Sequence, residues 1–141
     1  MTRMDEYHTY TGYEKMQTGL SQSMEDYLEM ISRLSLEEPA VRMHRLAAAL
    51  HIADSSATRM AKQLADLGDI RYKPYDFIRL TAKGEEKGNY LLYRHNVIVD
   101  FLRALNGEEG DLREAELIEH HLQEKTVENL RSLTEKMLRR D

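Results

Sequence analysis

The sequence predicts a mainly α fold with one small β-hairpin, opening with a winged helix-turn-helix and closing with further helices. Apolar residues recur at three- and four-residue spacing along most of the chain, which is the period of a helix face packed on a core. Two short β-branched and aromatic runs, Ile70-Arg-Tyr-Lys73 and Phe77-Ile-Arg-Leu80, flank a Pro74-Tyr75-Asp76 turn, and this reads as a hairpin. The chain has no cysteine, which excludes disulfides and thiolate metal sites. Its apolar runs are too short to span a bilayer. No basic, then apolar, then small-residue leader opens it, so the expected compartment is the cytoplasm.

The elements follow in order. Residues 1–20 are polar, tyrosine-rich and aperiodic, and read as an N-terminal extension. Ser23-Met-Glu-Asp26 resembles a capping box. It opens a helix over about 23–36 whose stripe is Tyr27, Leu28, Ile31 and Leu34; Pro39 follows its end. Val41 to Leu50 reads as an alanine-rich second helix, and His51-Ile-Ala-Asp54 as a turn. Asp54 or Ser55 is the expected cap of a third helix that runs to about Leu67 and stops at Gly68. After the hairpin, Thr81 opens a long helix to about Leu105. Asn106-Gly107 and Gly110 break it, and two helices over about 112–122 and 125–138 complete the chain.

Helix, tight turn, helix and hairpin in this order form a winged helix-turn-helix pattern, whose second helix enters the DNA major groove by its N-terminal residues. Here those residues are Ser55, Ser56, Thr58, Arg59, Lys62 and Gln63. Hydroxyls and amides at a helix start suit phosphate, and Arg59 or Gln63 could read base edges. Arg71, Lys73 and Arg79 on the hairpin would grip the backbone. The net charge of −5 speaks against a nucleic-acid partner, but its distribution reverses that. Residues 42–83 hold eight Lys and Arg against four Asp, a balance of +4, and the remainder carries −9. The bland reading of these side chains is an ordinary solvated surface.

A second constellation points to metal. In Glu116-Leu-Ile-Glu119-His120-His121, α-helical spacing would set Glu116, Glu119 and His120 on one face. His121 would project about 100° away and is left out. Like charges at this spacing destabilise a helix unless something neutralises them. Asp26 and Glu29 share a face of the first helix, and His95 lies midway along the long one. Singly, Asp26 could serve the helix start, Glu29 a solvated face, and His95 a core. Jointly they collect carboxylates and imidazoles from separate helices. Such a set without sulfur suits manganese(II) or iron(II), while zinc and other divalent metals would also bind it.

Taken together, these stretches resemble the manganese-responsive MntR branch of the diphtheria toxin repressor family. The matching residues are Ser23-Met-Glu-Asp26-Tyr-Leu-Glu29, Asp54-Ser-Ser-Ala-Thr-Arg-Met60, Leu80-Thr-Ala-Lys-Gly84, Tyr93-Arg-His95 and the Glu116–His121 cluster. The resemblance implies a winged helix-turn-helix over 21–83 and a helical metal-binding and dimerisation region over 84–141. It implies a homodimer on double-stranded operator DNA, acting as a manganese-activated repressor of metal-uptake genes, with two ions per subunit. Asp26, Glu116, Glu119 and His120 would hold one ion; Glu29, His95, Glu116 and Glu119 would hold the other. Carboxylates at 26 and 116 stand where the iron-responsive branch has methionine and cysteine. The chain also ends before the SH3-like third domain of that branch. One departure is Asp54, where the family often has proline. The expected alternatives are a winged-helix regulator responding to iron(II) or a small organic ligand, and a binuclear metallohydrolase. The last lacks an HExxH motif and any evident base or nucleophile beside the carboxylates, so neither catalysis nor a small-molecule substrate is expected, nor a membrane partner.

Overall fold

The computed structural model describes residues 18–107 and 112–139. The expected extension therefore lies almost wholly outside the described residues, as does Gly110. The elements run α1 (Gln22–Ser35), α2 (Met43–Leu50), α3 (Asp54–Asp66), β1 (Ile70–Arg71), β2 (Arg79–Leu80), α4 (Ala82–Asn106), α5 (Leu112–Ile118), a 3-10 turn (Glu119–His121) and α6 (Glu124–Arg139). No described helix is long and apolar enough to cross a membrane.

Three local expectations are corrected. Helix α1 is capped by Ser21, not Ser23: the Ser21 side chain accepts from the Met24 amide at 3.2 Å. That shift releases Asp26 from any capping role. Helix α3 begins after Ala53 with no side-chain cap, and Asp54 is its first residue. Val41 belongs to the hairpin rather than to α2. It exchanges both backbone hydrogen bonds with Ile78, at 2.8 and 2.7 Å, as suits a β-branched residue beside a sheet edge. Between β1 and β2 the register is Ile70 to Leu80 and Arg71 to Arg79.

Two apolar clusters form the core. The larger gathers Tyr27, Leu28 and Ile31 of α1, Leu46 of α2, Ala57, Ala61 and Leu64 of α3, Ile70, Ile78 and Leu91. The smaller joins Ile98, Val99 and Leu102 of α4 to Ala115 of α5, with Ile118 and Leu122 against them. Each large aliphatic side chain sealed in this way contributes roughly 1.5–3 kcal/mol. Helix α4 enters both clusters, and His95 lies between Leu91 of the first and Ile98 of the second. At the start of α4, Gly84 lies against the Asp69 carbonyl so closely that a Cβ would stand 1.8 Å from that oxygen. Only glycine fits there, and the contact fixes the hairpin to the long helix.

Candidate metal centre and DNA-facing surface

The buried face of α1 carries two acids one turn apart. Glu25 is fully buried and Glu29 is 8% exposed, while Asp26, between them in sequence, is exposed. Helix α4 brings His95 toward this face, and the 3-10 turn brings Glu119 and His120, both buried. Two ligand groups result. Asp26, Glu119 and His120 offer donor atoms within 4.8 Å of one another, as do Glu29, His95 and Glu119. Glu119 is common to both. His95 Nδ1 lies 2.8 Å from Glu119 Oε2. His120 Nε2 lies 2.7 Å from Asp26 Oδ1 and 3.6 Å from Glu119 Oε1.

Five of the six expected metal residues thus converge from three separated segments. Glu116 does not join them and is exposed on α5. The α-helix ends at Ile118, and Glu119 and His120 belong to the tighter 3-10 turn. The three- and four-residue facing expected of continuous α-helix therefore does not hold between Glu116 and its neighbours. His121 is also exposed.

The electrostatics are those of a site short of positive charge. Burial, and then the Glu119 carboxylate, push Glu29 up to about 7. Burial pulls His120 down, but hydrogen bonds to Asp26 and Glu25 and the charges of Asp26 and Glu119 outweigh it and raise the ring to about 9. The hydrogen bond to Glu119 raises His95 against the opposing effect of burial. Glu29 Oε1 and Glu119 Oε1 are buried without a hydrogen-bond partner, and His120 Nε2 faces the Asp26 carboxylate at 2.7 Å. Orphaned buried polar atoms are rare in folded proteins and call for an explanation. A divalent cation fits: both orphans belong to the ligand groups, and all the donors are oxygen or imidazole nitrogen.

Glu25 and Arg94 escaped the sequence reading. Glu25 passes there for a first-turn acid, and Arg94 is merely the neighbour of His95. One signal was present. Glu25 and Glu29 are one turn apart and flank Leu28 on the helix surface, so both border the apolar stripe.

The residues expected to meet DNA belong to α3 and the hairpin. Ser55, Arg59, Lys62 and Gln63 of α3 are exposed, as are Arg71, Lys73 and Arg79 of the hairpin; Ser56 and Thr58 are half-buried. The Thr58 hydroxyl donates to the Asp54 carbonyl at 2.8 Å, so its proton is engaged within the helix. The sequence reading left out Arg42. Its guanidinium stands 5.1 Å from the centre of the Phe77 ring, and that of Arg79 stands 5.7 Å from the same ring. Tyr75, fully exposed at the hairpin tip, adopts φ +67°.

Residues 19–77 match the family described as iron dependent repressor, N-terminal DNA binding domain. Residues 81–140 match the iron dependent repressor metal binding and dimerisation domain. The chain is 37% identical to the HTH-type transcriptional regulator MntR of Geobacillus kaustophilus (strain HTA426), over 80% of this chain and 81% of that one. It is 35% identical to the MntR regulator of Bacillus subtilis (strain 168), over 80% of each. Among solved structures it is similar to the manganese regulator SloR, with TM-score 0.68 and 25% identity over 78% of this chain. It spans about half (52%) of that longer structure.

Proposed function

Because this chain belongs to the iron dependent repressor family of DNA-binding transcriptional regulators, we propose that manganese(II) is the metal to which it responds and that each subunit takes two ions. The chain is a metal-dependent regulator rather than an enzyme. In our reading Asp26, Glu119 and His120 hold one ion and Glu29, His95 and Glu119 the other. Glu116 completes the set by its position in the family motif, not by its place in this structure. The observation that carries the reading is the convergence of Asp26, Glu29, His95, Glu119 and His120 into two ligand groups that contain the buried, unpartnered oxygens Glu29 Oε1 and Glu119 Oε1. Three carboxylates and two imidazoles without sulfur favour manganese(II) or iron(II) by ligand type, and the MntR relatives and the manganese regulator SloR favour manganese.

When bound, the ions supply the positive charge that this cluster of acids lacks. The protein's part is mechanical. Asp26 and Glu29 belong to α1, which packs in the DNA-reading domain, and Glu119 and His120 belong to the segment after α4. Joining them fixes α1 against the C-terminal helices. In a homodimer this sets the separation of the two α3 helices, which must match half-sites about one DNA turn apart or a multiple of it. Metal thereby favours the DNA-competent state through its differential affinity for the two states. The partners are operator DNA and a second copy of the chain, the compartment is the cytoplasm where such DNA lies, and the genes repressed are those of metal uptake. Ser55, Ser56, Arg59, Lys62 and Gln63 would face the groove, and Arg71, Lys73 and Arg79 the phosphates. The test is a gel shift on the chain's own promoter-region DNA with manganese(II), with iron(II) and with chelator. Binding should need metal, and Glu119→Ala should abolish the metal response while keeping the helical content. Equal binding in metal and in chelator would sink the proposal.

A further inference from the structure

The imidazole of His120 lies between consecutive acids of α1. Asp26 Oδ1 meets Nε2 at 2.7 Å, and Glu25 Oε1 meets Nδ1 at 2.8 Å. Adjacent helical residues project about 100° apart, so neighbouring carboxylates can reach the two sides of one ring. Their environments differ sharply. Asp26 is exposed and faces the ligand group. Glu25 is fully buried and lies in neither ligand group. Both of its oxygens are engaged: Oε1 accepts from Arg94 Nη2 at 3.0 Å, and Oε2 accepts from the Thr18 hydroxyl at 2.6 Å. With His120 that makes three partners for one carboxylate, which compensates the cost of burying it.

Both ring nitrogens face carboxylates, Nδ1 toward Glu25 and Nε2 toward Asp26, so in the absence of metal each bears a hydrogen. Arg94 Nη2 stands 3.2 Å from Nδ1, and Glu25 Oε1 stands nearer. If Nδ1 lacked a proton, a carboxylate lone pair would oppose a nitrogen lone pair at 2.8 Å. With a proton there, Nδ1–H and the guanidinium both donate to Glu25 Oε1. Nε2 faces Asp26 and Glu119 within the ligand group, so it is the nitrogen that would give up its hydrogen to a metal, while Nδ1 keeps its hydrogen on Glu25.

Building on the metal-site reading above, we propose that Glu25 is a positioning residue of the first ion's site: it holds His120 by Nδ1–H so that Nε2 is presented as the ligand atom. Arg94 and Thr18 anchor Glu25 in turn, one from α4 and one from the lead-in to α1. Partners that orient a ligating imidazole in this way typically account for about 10–100-fold in metal affinity.

The test uses the full chain, titrated with manganese(II) and followed by the electron paramagnetic resonance of the free ion. The variants are Glu25→Gln and the double variant Glu25→Leu/Arg94→Met, which removes the charge pair together and leaves no stranded charge. In both, one of the two ions should bind about 10–100-fold more weakly, while the ion held by Glu29, His95 and Glu119 keeps its affinity. In the zinc(II)-loaded wild type, nitrogen-15 spectra should show a slowly exchanging His120 Nδ1–H, and the double variant should lose it. Unchanged affinity for both ions, equal weakening of both, or a protected Nδ1–H in the double variant would overturn the proposal. If the wild type binds no manganese at all, the metal-site reading itself fails; if it binds two ions and the variants match it, only the role of Glu25 fails.

Discussion

His120 is the most constrained residue of the site. Glu25 and Asp26 of α1, Glu119 beside it and Arg94 of α4 all face its ring. Its value in the fold, about 9, stands above the ordinary 6.5. A raised value means stability that is fully present below about pH 6.5 and lost as the pH climbs through about 9. Glu29 has the same sign: its carboxyl, raised from 4.5 to about 7 by burial and by Glu119, favours the fold when protonated and opposes it when ionised. Held in chelator, the protein should therefore melt several degrees lower at pH 9 than at pH 5, as circular dichroism would record. Glu29→Gln should reduce that difference. A melting point that rises with pH would contradict the assigned charges. With metal present the dependence should reverse, because ligands must shed their protons to bind.

At the scale of elements, the hairpin and the start of α2 form one cationic edge. The guanidinium groups of Arg42 and Arg79 both stand over the Phe77 ring, and each such contact at an exposed site is worth about 0.5–1 kcal/mol. The ring thus holds two cations on the side proposed to meet DNA. Arg42→Ala and Arg79→Ala should each lower the slope of log affinity against log salt by about 1, the signature of one lost phosphate contact. Phe77→Leu should weaken binding and leave the slope intact, since no charge is removed. Titrations at a series of salt concentrations separate the two outcomes. Element boundaries were largely legible in the sequence because apolar period, Gly68 and Pro39 are local signals. The exceptions have local physical causes too. Val41 was absorbed by the sheet edge through two backbone hydrogen bonds with Ile78. The segment 112–121 changed from α to 3-10 winding before Glu119, and the expected single face of Glu116, Glu119 and His120 was lost with it.

For the whole molecule, the candidate site lies where the two apolar clusters meet. Helix α1 contributes Leu28 and Ile31 to the first cluster and its acids to the junction. Helix α4 runs through both clusters and supplies His95 between them. A ligand that binds only when these parts are together must stabilise the fold by mass action. Manganese(II) at about one hundred times its dissociation constant should add about 2.7 kcal/mol per site. That corresponds to a rise in melting temperature of roughly 5–10 °C, reversed by chelator and absent in Glu119→Ala. Differential scanning calorimetry would measure it, and an unchanged transition in saturating metal would refute the coupling.

The sequence by itself determined the order of helices and hairpin, the positive middle segment, the absence of sulfur from any metal site beyond methionine, and the residue types able to hold a hard cation. These are properties of neighbours along the chain, set by periodicity, turn chemistry and composition. Only the tertiary structure decided which of those residues meet. It separated Glu116 from the cluster and left Glu119, of the two glutamates expected to be shared, as the carboxylate common to both ligand groups. It also sealed Glu25 and Arg94, 69 positions apart, beside a histidine 95 positions beyond Glu25. Such choices depend on burial: an acid is an ordinary surface group until packing removes its water, and the partners that then satisfy it can lie anywhere along the chain.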